Sequence, residues 1–260
     1  MLALKSLPES FRAWNLQHGA PNGHERRRRS AFRSFYSDRS WRRLRGAFAI
    51  QGNNSIRAFE YPWAFHIGSP APGMRALDIG GGLCGFQFAL SQAGVRVVNV
   101  DPGMDAHDWP VNESSLRELN ELFETDVELR NCTIAQAGLE EGTYDRAYSI
   151  SVLEHLPKQE IETIVREVYR ALKPGGLFIL TVDLFLNVAP FTSRQENAFG
   201  ANWDVYALSR IAPFELVEGK PEELFGFPEF NAERVLSQLE SYLIGDYPAL
   251  AQCLVLRKPR

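Results

Sequence analysis

The sequence has little cysteine and no long apolar run. Cys84, Cys132 and Cys253 are the three cysteines among 260 residues. An odd, widely spaced set without a C-x-x-C pair argues against a disulfide framework, a zinc site and a dithiol redox couple. No segment approaches the roughly 18 uninterrupted apolar residues of a membrane-spanning helix, and the first residues lack the apolar part of a signal peptide. These absences predict a cytoplasmic protein with no membrane partner.

Acidic and basic residues are unevenly distributed along the chain. The net charge is −4 and the sequence pI is about 5.8, but residues 1–66 carry 12 Lys and Arg against 4 Asp and Glu. Such a split is expected for a leader that binds an anionic partner, and also for one that packs on the acidic body of its own chain. Because an acidic protein has no general attraction to phosphate, the second interpretation is favoured.

Arginines and aromatic residues are interleaved in this leader. Arg26 to Arg29 precede aromatic and apolar residues at roughly helical spacing, which predicts one or two amphipathic helices. The spaced residues are Phe32, Phe35, Tyr36, Trp41, Leu44 and Phe48. A basic, aromatic surface is typical of nucleic-acid binding, but a cap that buries its aromatics against the body uses the same residues.

A loop rich in proline and glycine separates the leader from the rest of the chain. Pro70, Pro72 and Gly73 lie just before an apolar strand, so we place an N-terminal helical cap at residues 1–68 and the main domain at residues 69–260. Tyr61 and Trp63 lie near the end of the cap. They are predicted to line a substrate cleft and to make cation–π contacts, although packing of the leader would explain them equally well.

Residues 74–101 form the pattern on which the functional interpretation depends. An apolar strand is followed by Gly80, Gly81 and Gly82, then by a helix over 86–93 and a buried strand over 96–100. Glycines allow a ligand to approach the backbone, and the N-terminus of the helix faces whatever fills the turn. Asp101 follows about 20 residues after the glycines, the spacing at which a carboxylate reaches ribose hydroxyls. The stretch predicts half of a nucleoside-binding fold.

The same glycines satisfy the G-x-G-x-x-G pattern of dinucleotide-binding proteins. Gly80, Gly82 and Gly85 match it, so a nicotinamide or flavin dehydrogenase is one alternative. Asp78 lies two residues before the first glycine, where its carboxylate favours a ligand with an ammonium and a sulfonium and repels a pyrophosphate. A tight turn that needs glycine only for packing is the other alternative.

Strands and helices alternate through the middle of the chain. Further strands are predicted over residues 127–134, 144–150 and 177–184, with a helix ending near 123 and another with apolar positions from 161 to 172. This alternation predicts a doubly wound parallel sheet that binds ligands at the carboxyl ends of its strands. His107 lies between Asp105 and Asp108, but neighbouring loop residues cannot all converge on one ion, so no metal site is predicted.

Four segments in this order resemble the class I S-adenosylmethionine-dependent methyltransferases of the small-molecule, type 11-like kind. They read LDIGGGLCG, NVDPG, YDRAYSISVLEHLP and ALKPGGLFIL. The resemblance covers residues 74–260. It implies a Rossmann-like, doubly wound α/β fold with a seven-stranded sheet whose last strand is antiparallel. Residues 214–218 and 252–256 suit the last two strands, and residues 204–211 suit the helix before the sixth.

The resemblance also implies where S-adenosylmethionine would bind. The glycines at 80–82 would approach its methionine part, Asp78 its ammonium and Asp101 its ribose. The other implied cofactor residues are Pro102, Thr133, Ile134 and Ser151. The sequence departs from the pattern after the third strand, where an acidic residue that bonds adenine is common and Thr133 and Ile134 stand instead. Ile134 would then pack on the adenine ring.

Methyl transfer is an in-line displacement, which mainly requires alignment of a nucleophile, exclusion of water and uptake of a proton. His155 follows the fourth strand, and a histidine with an ordinary pKa near 6.5 suits a general base. A structural role for His155 is the alternative. No metal is predicted to take part.

The acceptor is predicted to be recognised by the leader and by a substrate-side insertion at residues 185–245. Arg194, Asn197 and Trp203 combine polar groups with an aromatic face, which suits a small polar or carrier-linked acceptor such as a sugar or nucleotide-sugar. Simple exposure of these residues is the alternative. The competing function is an RNA methyltransferase or a nucleic-acid binding protein that uses the arginine-rich leader. The sequence makes no prediction of oligomeric state.

Overall fold

A computed structural model describes residues 1–21, 43, 45–50, 52–103 and 110–260. Two sequence predictions lie outside the described residues. One is the arginine-rich amphipathic segment from Arg26 to Leu44, apart from isolated positions. The other is the interpretation of His107 and its neighbouring aspartates.

The molecule is organised around one seven-stranded sheet. Its strand order is β3-β2-β1-β4-β5-β7-β6. The first five strands are parallel, and β7 is antiparallel to both β5 and β6, which confirms the predicted fold class. The strands are β1 Arg75–Ile79, β2 Arg96–Val100, β3 Glu128–Arg130, β4 Tyr144–Ile150, β5 Leu172–Phe185, β6 Glu215–Glu218 and β7 Ala249–Arg257.

Helices cover both faces of the sheet. Alternate residues of each strand point to opposite faces, and apolar side chains on both faces must be buried. In β4, Tyr148 joins the apolar cluster on one face and Ala147 the cluster on the other. The first face is covered by α1 to α4 and the second by α5 and α6. In the described ranges the α-helices are α1 Glu9–His18, α2 Arg57–Gly68, α3 Gly85–Gln92, α4 Glu113–Phe123, α5 Lys158–Ala171, α6 Val205–Ser209 and α7 Ala232–Ser237.

Two predicted elements are shorter than the sequence pattern indicated. The third strand was expected to reach residue 134, but β3 ends at Arg130 and residues 134–136 form a 3-10 turn. The prediction was wrong there because Thr133 caps this turn, together with the side chain of Gln136. The sequence also predicts a helix over residues 231–243, but the structure has the shorter α7 there and a 3-10 turn at residues 239–241.

The described part of the leader packs on the main sheet. In α1, Phe11 meets Phe59 of α2 at a ring separation of 5.3 Å, and Trp14 meets Phe65 at 5.4 Å. At the N-terminus the Ala3 amide donates to the carbonyl of Ala251 in β7 over 2.9 Å. Whether the cap and the main domain divide at residues 68 and 69 stays a prediction.

Within the described ranges of the chain, no helix is long and apolar enough to cross a lipid bilayer.

Candidate functional site

The glycine loop lies between β1 and α3, and glycine occupies its positions 80, 81 and 82 for different structural reasons. A Cβ atom on Gly80 would come within 3.0 Å of Val152, and one on Gly81 would come within 3.0 Å of the Asp78 carboxylate. Packing therefore requires glycine at both positions. Gly82 has a φ of +56°, and a Cβ atom there would meet no described atom within 4 Å. Gly82 thus borders the open side of the loop, where a ligand can approach the backbone.

The loop is held to the end of β2. The Gly82 amide donates to Asp101 Oδ2 over 2.7 Å, and the Gly103 amide donates to Asp101 Oδ1 over 2.6 Å. The side-chain amides of Asn99 and Gln87 donate to the Gly82 carbonyl. Each Asp101 oxygen retains lone-pair capacity beyond its single backbone bond. The carboxylate can therefore hold the loop and still accept hydrogen bonds from a ligand's hydroxyl groups.

Asp78 is a buried carboxylate under the same loop. It is 2% exposed, and its Oδ2 atom meets no hydrogen-bond partner in the part of the chain that is described. Burial, and then the neighbouring charge of Asp101, raise the pKa of Asp78 to about 7. A cationic group placed beside Asp78 would stabilise its charged form, so this residue fits a ligand ammonium.

We expect the Asp78→Asn variant to differ from the wild type in the pH dependence of its stability. The raised pKa means that folded Asp78 keeps a proton that the unfolded chain releases between about pH 4 and pH 7, so the wild type loses stability as pH rises through that interval. The loss amounts to about 2–4 kcal/mol by pH 8, and the isosteric amide avoids it. Urea unfolding at several pH values would test this, since parallel curves for the two proteins would contradict it.

The remaining predicted cofactor residues lie near the carboxyl ends of the strands. Ser151 follows β4 in a left-handed conformation with φ +52°, and its amide donates to the Thr181 carbonyl over 3.0 Å. Ile134 is buried in the apolar cluster that contains β2 residues. The Thr133 hydroxyl donates to the Gln136 side chain over 2.9 Å, and Pro102 is exposed. Their contacts with a cofactor stay predictions.

Two further carboxylates lie at the carboxyl ends of two neighbouring strands, Glu154 in the 3-10 turn that follows β4 and Asp183 within β5 near its end. Glu154 is 4% exposed and Asp183 is fully buried. The Asp183 amide donates to Glu154 Oε1 over 3.0 Å, and the Tyr247 hydroxyl donates to Asp183 Oδ2. His155 is exposed beside them, and one atom from each of Glu154, His155 and Asp183 lies within 4.8 Å of the others. The predicted base is thus next to a carboxylate pair.

A third buried carboxylate reaches this pair from the cap. Glu60 of α2 forms an ion pair with Arg57 and accepts a hydrogen bond of 2.5 Å from the Thr181 hydroxyl of β5. Burial, and then the charges of Glu154 and Glu60, raise the pKa of Asp183. Burial likewise raises the pKa of Glu154. Among the described residues, Glu60, Glu154 and Asp183 are thus buried close together with the Arg57 guanidinium beside them.

Sequence reasoning missed these carboxylates, although two of them left a signal. Asp183 is the single charged residue in the apolar run LFILTVDL, and Glu154 directly precedes the predicted base. A charge inside a strand that must be buried on both faces is costly unless a partner or a function compensates it. Glu60 left no comparable signal, because the leader mixes charged and aromatic residues throughout.

The two aromatic residues predicted to line a cleft are buried in the core. Tyr61 and Trp63 are each 5% exposed. Tyr61 stacks on Phe86 of α3 at 5.8 Å, and Phe86 meets Tyr148 of β4 edge-on at 5.1 Å. The Tyr61 hydroxyl donates to Asn53 over 3.2 Å. These contacts fasten the cap to the sheet, and a role in substrate binding stays a prediction.

The other three predicted substrate residues lie in the segment between β5 and α6. Arg194 is exposed and donates to the Glu196 carbonyl, while Asn197 donates to Asn187 over 2.8 Å. Trp203 is half-buried against the cluster on the α5 face. In the same segment Phe199 stacks on Tyr247 at 4.8 Å. The segment therefore lies beside the tyrosine that holds Asp183.

Comparisons with known proteins match part of this chain to methyltransferases. Residues 77–180 match the family model described as a methyltransferase domain. The chain is similar to 24-methylenesterol C-methyltransferase 2 of Arabidopsis thaliana, with 30% identity over 109 residues that cover 42% of this chain and 28% of that protein. It is also similar to the mitochondrial ubiquinone biosynthesis O-methyltransferase of Mus musculus, with 29% identity over 120 residues that cover 45% of this chain and 31% of that protein.

Solved structures share the fold. The crystal structure of the cyclase SpnF superposes with a TM-score of 0.56 and 15% identity, covering 78% of this chain and 82% of that one. Likeness at this identity establishes the architecture alone. The chain spans less than a third of the length of the two curated relatives that it matches.

Proposed function

Because residues 77–180 match the family model described as a methyltransferase domain, we propose that this chain is a class I S-adenosylmethionine-dependent methyltransferase and that it transfers the methyl group of S-adenosylmethionine to a small polar acceptor. The observation that carries this proposal is the pairing of Asp78 and Asp101 around the glycine loop. Asp78 offers an unpartnered buried oxygen to an ammonium, and Asp101 offers remaining acceptor capacity to ribose hydroxyls. A pyrophosphate would meet two carboxylates at the same place, which argues against a dinucleotide.

The proposed site divides the cofactor between elements of the sheet. Asp78 would hold the ammonium, the open side of Gly82 would accept the methionine backbone, and Asp101 would hold the ribose. Pro102, Thr133 and Ile134 would lie near the adenine, and Ser151 near the cleft between β1 and β4. When bound, S-adenosylmethionine supplies a methyl group on a positively charged sulfur. The chain's own residues supply alignment, exclusion of water and proton uptake, for which His155 is the proposed base.

The class of acceptor is proposed from the insertion beside β5. Arg194 and Asn197 present polar groups there and Trp203 an aromatic face, which suits a small hydroxyl- or nitrogen-bearing molecule, free or carrier-linked. The relatives named above are named for a sterol and for ubiquinone biosynthesis, so small-molecule acceptors are common to them. Nucleic-acid binding by the leader stays a prediction, because the arginine-rich segment lies outside the described residues. A cytoplasmic location also stays a prediction.

Calorimetry would test the proposed cofactor directly. We expect S-adenosylmethionine and its demethylated product S-adenosylhomocysteine each to bind the folded protein with one site per chain, and NADH not to bind. The reason is that the Asp78 charge attracts the ammonium of the first two ligands and repels the pyrophosphate of the third. Heat from NADH alone would favour the dehydrogenase alternative. An absence of heat from all three, with intact folded protein, would contradict the proposal.

A further inference from the structure

The turn after β4 and the end of β5 hold more buried carboxyl groups than the described residues pair with cations. Glu60 contacts Arg57 and thus has a cationic partner. Glu154 and Asp183 have no ion pair among the described residues, and Glu154 Oε2 and Asp183 Oδ1 are buried without a hydrogen-bond partner there. Two buried carboxyl groups therefore each keep one oxygen without a described partner.

We propose that Glu154 and Asp183 form the acceptor subsite of the methyltransferase proposed above, and that they bind a protonated amine and take its proton. The acceptor is accordingly a molecule with a primary or secondary amine, and the product is the N-methylated amine. This proposal rests on the proposed function, which supplies the methyl donor.

The charge balance of the subsite selects a cation. Burial raises the pKa of both carboxyl groups, and the charges of Glu154 and Glu60 raise the pKa of Asp183 further. A hydroxyl group would satisfy the orphaned oxygens but would leave the excess negative charge in place. An ammonium satisfies both, since it supplies up to three N–H donors and one positive charge.

The spacing of the subsite is compatible with one bound ammonium. One atom from each of Glu154, His155 and Asp183 lies within 4.8 Å of the others. Acceptors that bind one tetrahedral ammonium at about 2.9 Å stand roughly 4.7 Å apart. Ligands of a magnesium ion at about 2.1 Å stand only about 3–4 Å apart. Separations of up to 4.8 Å admit either cation, and the magnesium comparison in the experiment below distinguishes them.

The subsite lies next to the glycine loop. Gly80 is so close to Val152 that a Cβ atom could not fit between them, and Val152 is two residues before Glu154. On the other side, a Cβ atom added to Gly200 of the insertion would lie 3.7 Å from the Glu154 carbonyl oxygen. Tyr247 fixes Asp183 through its hydroxyl and stacks on Phe199 of the same insertion. The carboxylates thus lie between the proposed donor loop and the proposed acceptor segment.

The reaction balances with the groups at hand. The bound ammonium gives one proton to the carboxylate pair, which frees the nitrogen lone pair. That lone pair forms the new N–C bond, and the C–S bond breaks with its electrons going to sulfur. The methylated ammonium leaves, and the pair passes the proton to the exposed imidazole of His155, the base proposed above, which releases it to solvent. No oxidant or further reactant is needed.

A binding experiment on the full chain would test the subsite with a minimal amine in place of the complete acceptor. The probe is methylammonium chloride, with methanol and magnesium chloride as comparison ligands, and the readout is the carboxyl ¹³C resonances of Glu154 and Asp183. We expect a saturable shift with methylammonium and none with methanol. Asp183→Asn and Glu154→Gln should each weaken methylammonium binding about tenfold or more, since each removes a charged hydrogen-bond acceptor.

Glu160→Gln on the exposed face of α5 is the matched control and should bind methylammonium like the wild type. S-adenosylhomocysteine affinity, measured in parallel, should equal the wild-type value in all three variants. If the wild type does not bind S-adenosylhomocysteine, that result contradicts the proposed donor site and not the amine subsite. The amine subsite is overturned if methylammonium gives no saturable shift, if methanol shifts the resonances equally, or if magnesium binds and displaces methylammonium.

Discussion

Replacement of Asp101 by asparagine is expected to weaken S-adenosylmethionine and S-adenosylhomocysteine binding at least about a hundredfold, or roughly 2.7 kcal/mol. The carboxylate accepts one backbone bond on each oxygen, from Gly82 and from Gly103, and both bonds are short. Asparagine keeps one oxygen acceptor and turns an NH₂ donor toward the second backbone amide. Either Gly82 or Gly103 therefore loses its hydrogen bond to this side chain. A hydrogen bond to a charged group is worth about 1.5–3 kcal/mol, and the proposed ribose bonds are lost in addition.

The effect should be specific to the site and visible in calorimetry. Asp126→Asn is the matched control, because it makes the same chemical change at an exposed aspartate near the start of β3. The control should bind both ligands with wild-type affinity. Urea unfolding of Asp101→Asn would show whether the variant is folded under the conditions of the titration. A folded Asp101→Asn protein with wild-type affinity would exclude Asp101 from ligand binding.

Replacement of Gly82 by alanine is expected to remove most cofactor binding while the fold persists. Gly82 has a φ of +56° and faces open space, so an added methyl group would strain the backbone without striking another described atom. The strain costs about 1 kcal/mol of folding free energy. The methyl group would occupy the side of the loop that we assign to the ligand, and we expect at least a tenfold loss of affinity from this contact.

Gly142→Ala separates backbone strain from ligand exclusion. Gly142 has a φ of +59° and equally open surroundings. It lies in the turn before β4, at the amino ends of the parallel strands, whereas the site lies at their carboxyl ends. The two variants should lose similar stability in urea unfolding, and only Gly82→Ala should lose affinity in calorimetry. Equal affinities in the two variants would mean that the ligand does not approach this side of the loop.

Local sequence patterns were sufficient for the central elements of the fold. The strand predicted over residues 96–100 and the strand predicted over 144–150 have those bounds in the structure, and the helix predicted over 86–93 is α3 at Gly85–Gln92. In these segments the local sequence pattern and tertiary burial agree. At Thr133 they disagree, because a side-chain cap closes a turn where apolar composition favoured a strand.

The site was only partly accessible from the sequence. The glycine turn, Asp78 and Asp101 follow one another within a single β-α-β unit, so their spacing alone predicted a shared site. Tyr61 and Trp63 were placed near the same site because they lie close to it in sequence, but they are buried in the core. Proximity along the chain does not determine which face of a helix turns inward when that helix packs on a sheet.

The sequence by itself determined the alternation of strands and helices, the glycine loop and the carboxylate that anchors it, because each depends on neighbours within a few residues or one β-α-β unit. Only the tertiary structure decided that Glu60, Glu154 and Asp183 share one buried space, since they come from a cap helix, a turn after β4 and the end of β5. Their mutual repulsion arises from burial and from distances that chain folding creates, and neither quantity is written in local sequence.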